Sequence, residues 1–171
     1  MSAGAYAELA RLGTATVYEG GGRRGLIDAP LHQVVPGSRV AGPARIARCA
    51  QDDNLMVHAA ILVDASVRDL EELVELGLPI WARYVRIRGA VKETPGELDV
   101  PVEVGGTTIR PGDIVVLDAD GAAVVEQERV AVVLEGARRR EENERVKRAK
   151  LQEGALSYDL DGLRAIVEGA P

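Results

Sequence analysis

The spacing of apolar residues along the first third of the chain predicts helices that alternate with strands. Residues 5–12 have helical spacing, and the Thr-rich TATVYEGGG after them predicts a capped second helix followed by a glycine-broken loop. RVAGPARIARC is typical of a half-buried strand. DDNLMVHAA predicts the start of a helix that Asp52 or Asp53 could cap.

A strand, a short helix and then mostly strands are predicted for the middle of the chain. ILVD predicts a buried strand, and in LEELVELGLP the apolar residues Leu70, Leu73 and Val74 form one helical stripe that Gly77 ends. Five strand-like runs follow, separated by Gly-Gly, Pro-Gly and Asp-Gly turns: PIWARYVRIRGAV, DVPVEV, TTIR, DIVVLDAD and AAVVE. These turns favour antiparallel pairing in this half.

The pattern changes to one long helix near the end of the chain. The apolar ERVAVVLEG is followed by residues 138–150, which are almost wholly charged. A compact domain of this size has no core left for that charged part, which is therefore either a solvated helix face or an arm that reaches a neighbouring subunit. We expect one domain over residues 1–171, with residues 127–171 as a helical arm for oligomer contacts.

Composition narrows the fold class and the kind of ligand. Of the 171 residues 46% are hydrophobic but only 3% aromatic, with no Phe, so the core must consist of Val, Leu, Ile and Ala, which suits an α/β protein. The net charge of -6 argues against a nucleic-acid partner and favours a small ligand. No leader pattern or bilayer-length apolar run is present, so we expect a cytoplasmic protein without a membrane partner. Cys49 cannot form an internal disulfide and is expected to be a small core residue.

Three ionisable side chains follow the apolar start of ILVDASVRDLEEL, and they have two interpretations. Asp69 with Glu72 three residues later is a capping box, which is a purely structural role. That interpretation leaves Arg68 and Asp64 unexplained at the end of a strand, where α/β folds place ligand-binding residues. A guanidinium binds a carboxylate through two bonds, and a neighbouring Asp can hold Mg²⁺, so the group would fit a small 2-oxo acid.

Several sequence blocks occur along the chain in one order. They are LGTATVYEGGGRRGLID, VAGPARIARC, DDNLMVHAA, ILVDASVRDLEELVELGLPIWAR, RGAVKETPGELDVPVEVGGTTIRPGD, VVLDADGAAVV and KRAKLQEGALSYDLDGLR. In these blocks and their order the chain resembles one family, the class II pyruvate aldolases that act on 4-hydroxy-4-methyl-2-oxoglutarate and 4-carboxy-4-hydroxy-2-oxoadipate, which are related to the ribonuclease activity regulator A proteins. The resemblance implies a swivelling-domain type of α/β fold, of the phosphohistidine-domain kind, as a sheet sandwich with the long charged C-terminal helix.

The resemblance also implies an activity and the residues that serve it. It implies retro-aldol cleavage that releases pyruvate, dependent on Mg²⁺ or Mn²⁺, with oxaloacetate decarboxylation as a side activity, in homotrimers or hexamers with active sites between subunits. By motif, Arg68 matches the arginine that binds the pyruvyl group, and Asp69 matches the metal-binding aspartate after it. Asn54 matches a polar residue of the substrate pocket. Glu144 matches an acidic residue contributed to the metal site of the neighbouring subunit.

One departure from the family pattern lies between Ala60 and Ile61. No turn residue separates the predicted helix from the predicted strand there. Family members carry several dozen further residues at this point, including an acidic residue and backbone N–H groups that hold the substrate carboxylate. Either the deletion disables catalysis, or the working protein has a segment that this chain omits. The alternative function is a non-catalytic trimeric regulator that resembles ribonuclease activity regulator A.

Overall fold

The computed structural model describes residues 2–49, 62–87 and 89–169. The helices in these ranges are α1 (Ala3–Leu12), α2 (Thr14–Gly20), α3 (Leu70–Leu76), α4 (Val130–Gln152), α5 (Ser157–Leu160) and α6 (Leu163–Val167). The strands are β1 (His32–Gln33), β2 (Val40–Pro43), β3 (Ala47–Arg48), β4 (Leu62–Val67), β5 (Trp81–Val85), β6 (Glu97–Leu98), β7 (Val102–Val104), β8 (Thr107–Ile109), β9 (Ile114–Asp118) and β10 (Gly121–Val125). None of these helices is long and apolar enough to cross a bilayer. The fold is mixed α/β with small sheets and a long C-terminal helix.

The central layer is the antiparallel sheet β10-β9-β2, in which β9 and β10 are largely buried on both faces and β2 is only partly buried. Alternate side chains of a strand point to opposite faces. Ile114 and Val116 therefore pack against helices α1, α2 and α4. Leu117 and its neighbour Val115 pack on the other side, against Trp81 and the β7-β8 hairpin. Two apolar cores thus lie on either side of one short sheet.

A parallel pair of strands lies in the second sheet, of order β1-β5-β4. Strands β4 and β5 run parallel and are joined by α3, so together they form a βαβ unit. Strand β1 pairs with the other side of β5 in the antiparallel sense. The prediction of antiparallel pairing is therefore confirmed for β7-β8 and β9-β10 but not for the contact of β5 with β4.

Helices α2 and α4 touch backbone to backbone at a pair of glycines. A Cβ atom added to Gly136 would lie far inside van der Waals contact with the carbonyl oxygen of Gly20, and one added to Gly20 would overlap the backbone of Ala137. Only hydrogen fits at these two positions. This close approach lets Val133 of α4 pack with Val17 of α2 in the helical core.

The charged half of α4 is held to the rest of the protein by ion pairs. Arg138 pairs with Glu8, Glu141 pairs with Arg11, and Arg140 pairs with Glu19. The hydrogen bond from its arginine partner lowers the pKa of both Glu8 and Glu141. The long helix is confirmed, and its charged part is a solvated face that contacts α1 and α2; its role as an oligomer arm stays a prediction.

Several sequence predictions need correction. RVAGPARIARC is not one strand, because after Pro43 the chain leaves the central sheet and Ala44 bonds instead to the backbone of Asp113 and Gly112. The stretch is therefore divided between β2 and β3, which belong to different sheets. Cys49, expected in the core, is only half-buried after β3. The short helices α5 and α6 were not predicted.

The cap of α2 comes from a distant strand rather than from its own Thr residues. The backbone N–H and the hydroxyl of Thr14 donate to the buried carboxylate of Asp118, over 2.8 and 2.6 Å, and the N–H of Asp120 donates to it over 3.0 Å. Gly13 is the N-cap residue, with φ of 81°, and a Cβ there would lie 2.8 Å from Asp118 Oδ2. The β9 carboxylate thus fixes the start of α2.

We expect Asp118→Ala to lower the free energy of unfolding by about 2 kcal/mol, because buried donors lose their acceptor. Urea unfolding measures this change through the fluorescence of Trp81, the single tryptophan, which is fully buried. Asp120→Ala is the matched control, since Asp120 is exposed and its bond to Asp118 comes from its backbone. Equal unfolding midpoints for Asp118→Ala and the control would contradict this role.

Candidate functional site

Arg68 and Asp69 lie directly after the last residue of β4. Because β4 is parallel to β5, they stand at the carboxyl edge of the parallel pair, where α/β folds bind ligands. The Arg68 Nε and Asp69 Oδ2 atoms are 3.0 Å apart, and both side chains are more than half exposed. The structure therefore brings these two predicted site residues together at a surface that a ligand can reach.

The capping-box interpretation of Asp69 is wrong. Asp69 is the residue before α3, but its side chain makes no capping hydrogen bond to the helix. Its backbone is left-handed, with φ of 59° and ψ of 43°, which is uncommon outside glycine although Asp tolerates it. An N-cap side chain reaches the first-turn N–H groups from an extended backbone instead. The carboxylate is consequently not used by the helix and faces Arg68.

Asp64 does not belong to this pair. It is the third residue of β4 rather than the residue at its end, and it forms an ion pair with Arg83 of the neighbouring β5. The hydrogen bond with Asp64 raises the pKa of Arg83. Asp64 and Arg83 thus make a cross-strand contact that stabilises the parallel pair, and the prediction that Asp64 lies at the strand's end with Arg68 is wrong.

The apolar stripe predicted for α3 is only partly buried. Leu73 packs on the small core under β5, whereas Leu70 and Val74 are 40% and 44% exposed. The helix end is as predicted, because Gly77 adopts the left-handed conformation at the C-terminus. Helix α3 therefore serves mainly to carry the chain from the site at the end of β4 to the start of β5.

The segment after β5 supplies residues that the sequence analysis did not identify. The N–H of Arg86 donates to the carbonyl of Val67 over 2.9 Å, and the Arg86 guanidinium lies 4.2 Å from the centre of the Tyr84 ring. A Cβ added to Gly89 would lie 3.2 Å from Arg68 Nη1, so this segment runs beside the Arg68 guanidinium. The sequence signal that could have identified them is the YVR stretch at the end of β5, in which Tyr84 and Arg86 alternate with Val85 and so lie on the same face of the strand.

The other predicted site residues do not join this cluster in the described structure. Glu144 pairs with Arg140 over 2.6 Å. It lines an open groove of about 520 Å³ between α2 and α4, formed by Glu19, Gly20, Arg23, Gly136, Arg139, Arg140, Asn143, Glu144 and Lys147. Asn54 and the junction of Ala60 with Ile61 lie outside the described residues.

The side chains at the carboxyl edge of β4 and β5 can be compared with the ligands that a divalent metal ion requires. Among the described residues, no group of three or more His, Cys, Asp or Glu side chains is arranged as a metal site. At this edge Asp69 offers a carboxylate that is more than half exposed and that does not cap its helix. Mg²⁺ is commonly held by one or two carboxylates together with waters and substrate oxygens. This donor set fits a metal that substrate and water complete, and does not fit an all-protein cage.

Comparison with known proteins finds relatives that carry an aldolase name. A Halalkalibacterium halodurans protein named "Putative 4-hydroxy-4-methyl-2-oxoglutarate aldolase" is 33% identical over 110 residues, which are 64% of this chain and 50% of that protein. A Deinococcus radiodurans protein of the same name is 48% identical over 65 residues, 38% of this chain and 41% of that protein. The chain thus spans half or less of the length of these relatives.

Solved structures share the fold over most of the chain. An uncharacterized protein from Pseudomonas syringae pv. tomato has a TM-score of 0.75 at 21% identity, covering 91% of this chain and 92% of its own. Streptomyces coelicolor RraAS2, titled an unusual member of the RNase ES inhibitor RraA protein family, has a TM-score of 0.69 at 23% identity and covers 86% and 97%. Residues 58–124 match the family model described as RraA-like: Aldolase/RraA. The resemblance drawn from the sequence is therefore confirmed, because the region that contains Arg68 and Asp69 is similar to the Aldolase/RraA family.

Proposed function

We propose that this chain takes part in divalent-metal-dependent retro-aldol cleavage of 4-hydroxy-4-methyl-2-oxoglutarate or 4-carboxy-4-hydroxy-2-oxoadipate to pyruvate and a 2-oxo acid, and that it decarboxylates oxaloacetate as a side activity. The observation that carries the proposal is the exposed Arg68–Asp69 pair at the carboxyl edge of β4, with an aspartate that does not cap its helix. The match of residues 58–124 to the Aldolase/RraA family model and the aldolase names of two relatives support it.

Arg68 acts on the pyruvyl end of the substrate. Its planar guanidinium can donate two parallel hydrogen bonds, to the carboxylate and to the neighbouring carbonyl oxygen. In the retro-aldol step the C4 hydroxyl gives its proton to a water molecule and becomes a carbonyl as the C3–C4 bond breaks. The electron pair of that bond moves onto the pyruvyl part as an enolate, and protonation of C3 by water then gives pyruvate. A fixed positive charge beside the enolate oxygen stabilises that charge as it forms. Gly89 leaves the space at Arg68 Nη1 free of a side chain.

Asp69 has two tasks in this scheme. Its carboxylate orients Arg68 through the 3.0 Å contact, and it is the residue that would hold Mg²⁺ or Mn²⁺. The bound metal would supply Lewis-acid stabilisation of negative charge on the substrate oxygens. The left-handed backbone at Asp69 turns the carboxylate away from the helix N-terminus, so the same side chain remains available for both tasks.

The proposal also includes the fold class and the oligomeric assembly of the protein. We propose the swivelling-domain class for the α/β fold and a trimer or hexamer for the assembly, in which Glu144 of one copy would approach the metal of another. The exposed position of Glu144 in the α2–α4 groove is compatible with that role. Assays should therefore be done on protein whose oligomeric state has been measured by light scattering.

The test is the release of pyruvate from both substrates and from oxaloacetate, measured by coupling to lactate dehydrogenase, with Mg²⁺ and with a chelator. We expect release with the metal and none with the chelator, because Asp69 alone cannot replace the charge of the cation. Mg²⁺ without protein is the required blank for oxaloacetate. Asp69→Asn should raise the metal concentration that gives half-maximal rate, while the exposed Asp120→Asn should not.

Absence of metal-dependent release by the folded protein would contradict the proposal. It would leave the alternative of a non-catalytic regulator, which has no need for a metal at Arg68 and Asp69. Binding assays with a ribonuclease partner would then be the next measurement.

A further inference from the structure

A second arginine, Arg86, follows β5 as Arg68 follows β4. The two strands are parallel and their last paired residues are Val67 and Val85, so both arginines leave the sheet at the same edge. The Arg86 N–H donates to the carbonyl of Val67 over 2.9 Å, which keeps the two strand ends together. Neighbouring strands lie about 4.8 Å apart, which is similar to the distance between the two carboxyl carbons of a five-carbon dicarboxylate.

The side chain of Arg86 is oriented by an aromatic ring rather than by a carboxylate. Its guanidinium lies over the ring of Tyr84 at 4.2 Å, an attractive arrangement that restricts the rotamers of the arginine. In the described part of the chain Arg86 has no ion-pair partner, whereas Arg68, Arg83 and Arg45 each pair with an Asp. A stacked guanidinium still presents its N–H edge to a planar anion.

The segment that carries Arg86 also borders Arg68. Gly89 lies so close to the Arg68 guanidinium that an added Cβ would be 3.2 Å from Nη1. Among the described residues, this edge therefore carries the guanidinium groups of Arg68 and Arg86 and the carboxylate of Asp69, which pairs with Arg68. Within that described set, Arg86 is a positive charge without a carboxylate partner at a site that, under the proposed function, receives an anion.

We propose that Arg86 binds the second carboxylate of a dicarboxylic 2-oxo acid while Arg68 binds its pyruvyl end. This inference rests on the proposed function and extends it, because it assigns the residue that distinguishes dicarboxylic from monocarboxylic 2-oxo acids. Tyr84 is a positioning residue that holds the guanidinium of Arg86 at the edge of the sheet. Arg68 alone would bind the shared 2-oxo carboxylate end of either kind of ligand.

Calorimetry with two ligands in Mg²⁺ buffer distinguishes the role of Arg86 from that of Arg68, because it measures a Kd for each ligand. 2-Oxoglutarate has a carboxylate at each end and no C4 hydroxyl, so a retro-aldol reaction cannot cleave it, while pyruvate has only the end assigned to Arg68. Arg86→Gln should raise the Kd for 2-oxoglutarate about tenfold, since a charge-assisted hydrogen bond is lost, and should leave the Kd for pyruvate unchanged. Tyr84→Leu should give a smaller loss of the same selectivity, and Tyr84→Phe should give none.

A control variant tests whether the effect is specific to Arg86. Arg45→Gln removes an exposed arginine elsewhere and should change neither Kd. The role of Arg86 would be overturned if Arg86→Gln left the ratio of the two Kd values unchanged, either because neither Kd changed or because both rose equally. Binding of pyruvate by the wild-type protein would still support the site at Arg68 in that case. Wild-type protein that binds neither ligand would overturn the inference and the proposed function together.

Discussion

Arg68→Ala is expected to lower kcat/KM for pyruvate release by about 100-fold, because the guanidinium is assigned to stabilise charge that develops only in the transition state. Its effect on stability should be small. The side chain is 57% exposed, and its one ion pair, with the adjacent Asp69, is itself exposed to solvent. Steady-state kinetics with Mg²⁺, together with urea unfolding of the same preparations, measures both quantities.

Two further variants make the Arg68 result specific. Arg45→Ala removes an arginine that is also exposed and paired with an aspartate, Asp99, and should leave the rate unchanged. Arg68→Lys keeps the charge but loses the planar pair of donors, so it should restore only part of the rate. Full activity in Arg68→Ala, or loss of the folded state, would show that Arg68 has a different role.

Gly136→Ala should destabilise the protein by about 3 kcal/mol or more, although Gly to Ala inside a helix normally stabilises it by up to about 1 kcal/mol. The added Cβ would collide with the backbone oxygen of Gly20, which cannot turn aside as a flexible side chain can. Relief of the collision requires α4 to move away from α2, and that opens the core around Val17 and Val133. Urea or thermal unfolding followed by circular dichroism measures the loss.

Gly4→Ala is the matched control, since Gly4 also lies in a helix. Its added Cβ would meet only the Ser2 hydroxyl oxygen, at 3.7 Å, in ordinary contact. This variant should be as stable as the parent or slightly more so. A Gly136→Ala protein that unfolds at the same urea concentration as Gly4→Ala would mean that α2 and α4 do not pack as the structure has them.

The predictions that succeeded rest on short-range signals. Helix α3 ends at Gly77 as predicted, because glycine alone adopts the left-handed C-terminal conformation without cost. The Gly105–Gly106 turn joins β7 to β8 because glycine suits a tight hairpin. The second predicted hairpin also forms, but its turn residues are Ala119 and Asp120, and Gly121 already pairs with Asp118 as the first residue of β10. The pattern of α4 likewise separated its buried first turns from its charged remainder.

The predictions that failed depend on partners distant in sequence. The Asp69–Glu72 spacing fits a capping box, but the backbone of Asp69 is left-handed and its carboxylate turns to Arg68. The cap of α2 comes from Asp118, 104 residues beyond Thr14, so no local pattern could reveal it. The break of RVAGPARIARC at Pro43 follows from bonds that Ala44 makes with a loop near residue 113.

The sequence by itself indicated which residues are candidates for the chemistry: the order of its blocks indicates the family, and a strand followed by Arg68 and Asp69 indicates a site for a small acid. Those conclusions need only residue identity and local spacing. The tertiary structure alone decided which groups meet. It paired Asp64 with Arg83, released the carboxylate of Asp69 from its helix and brought Arg86 to the same edge. Strand register and the direction of a side chain are set by long-range packing, which local periodicity does not encode.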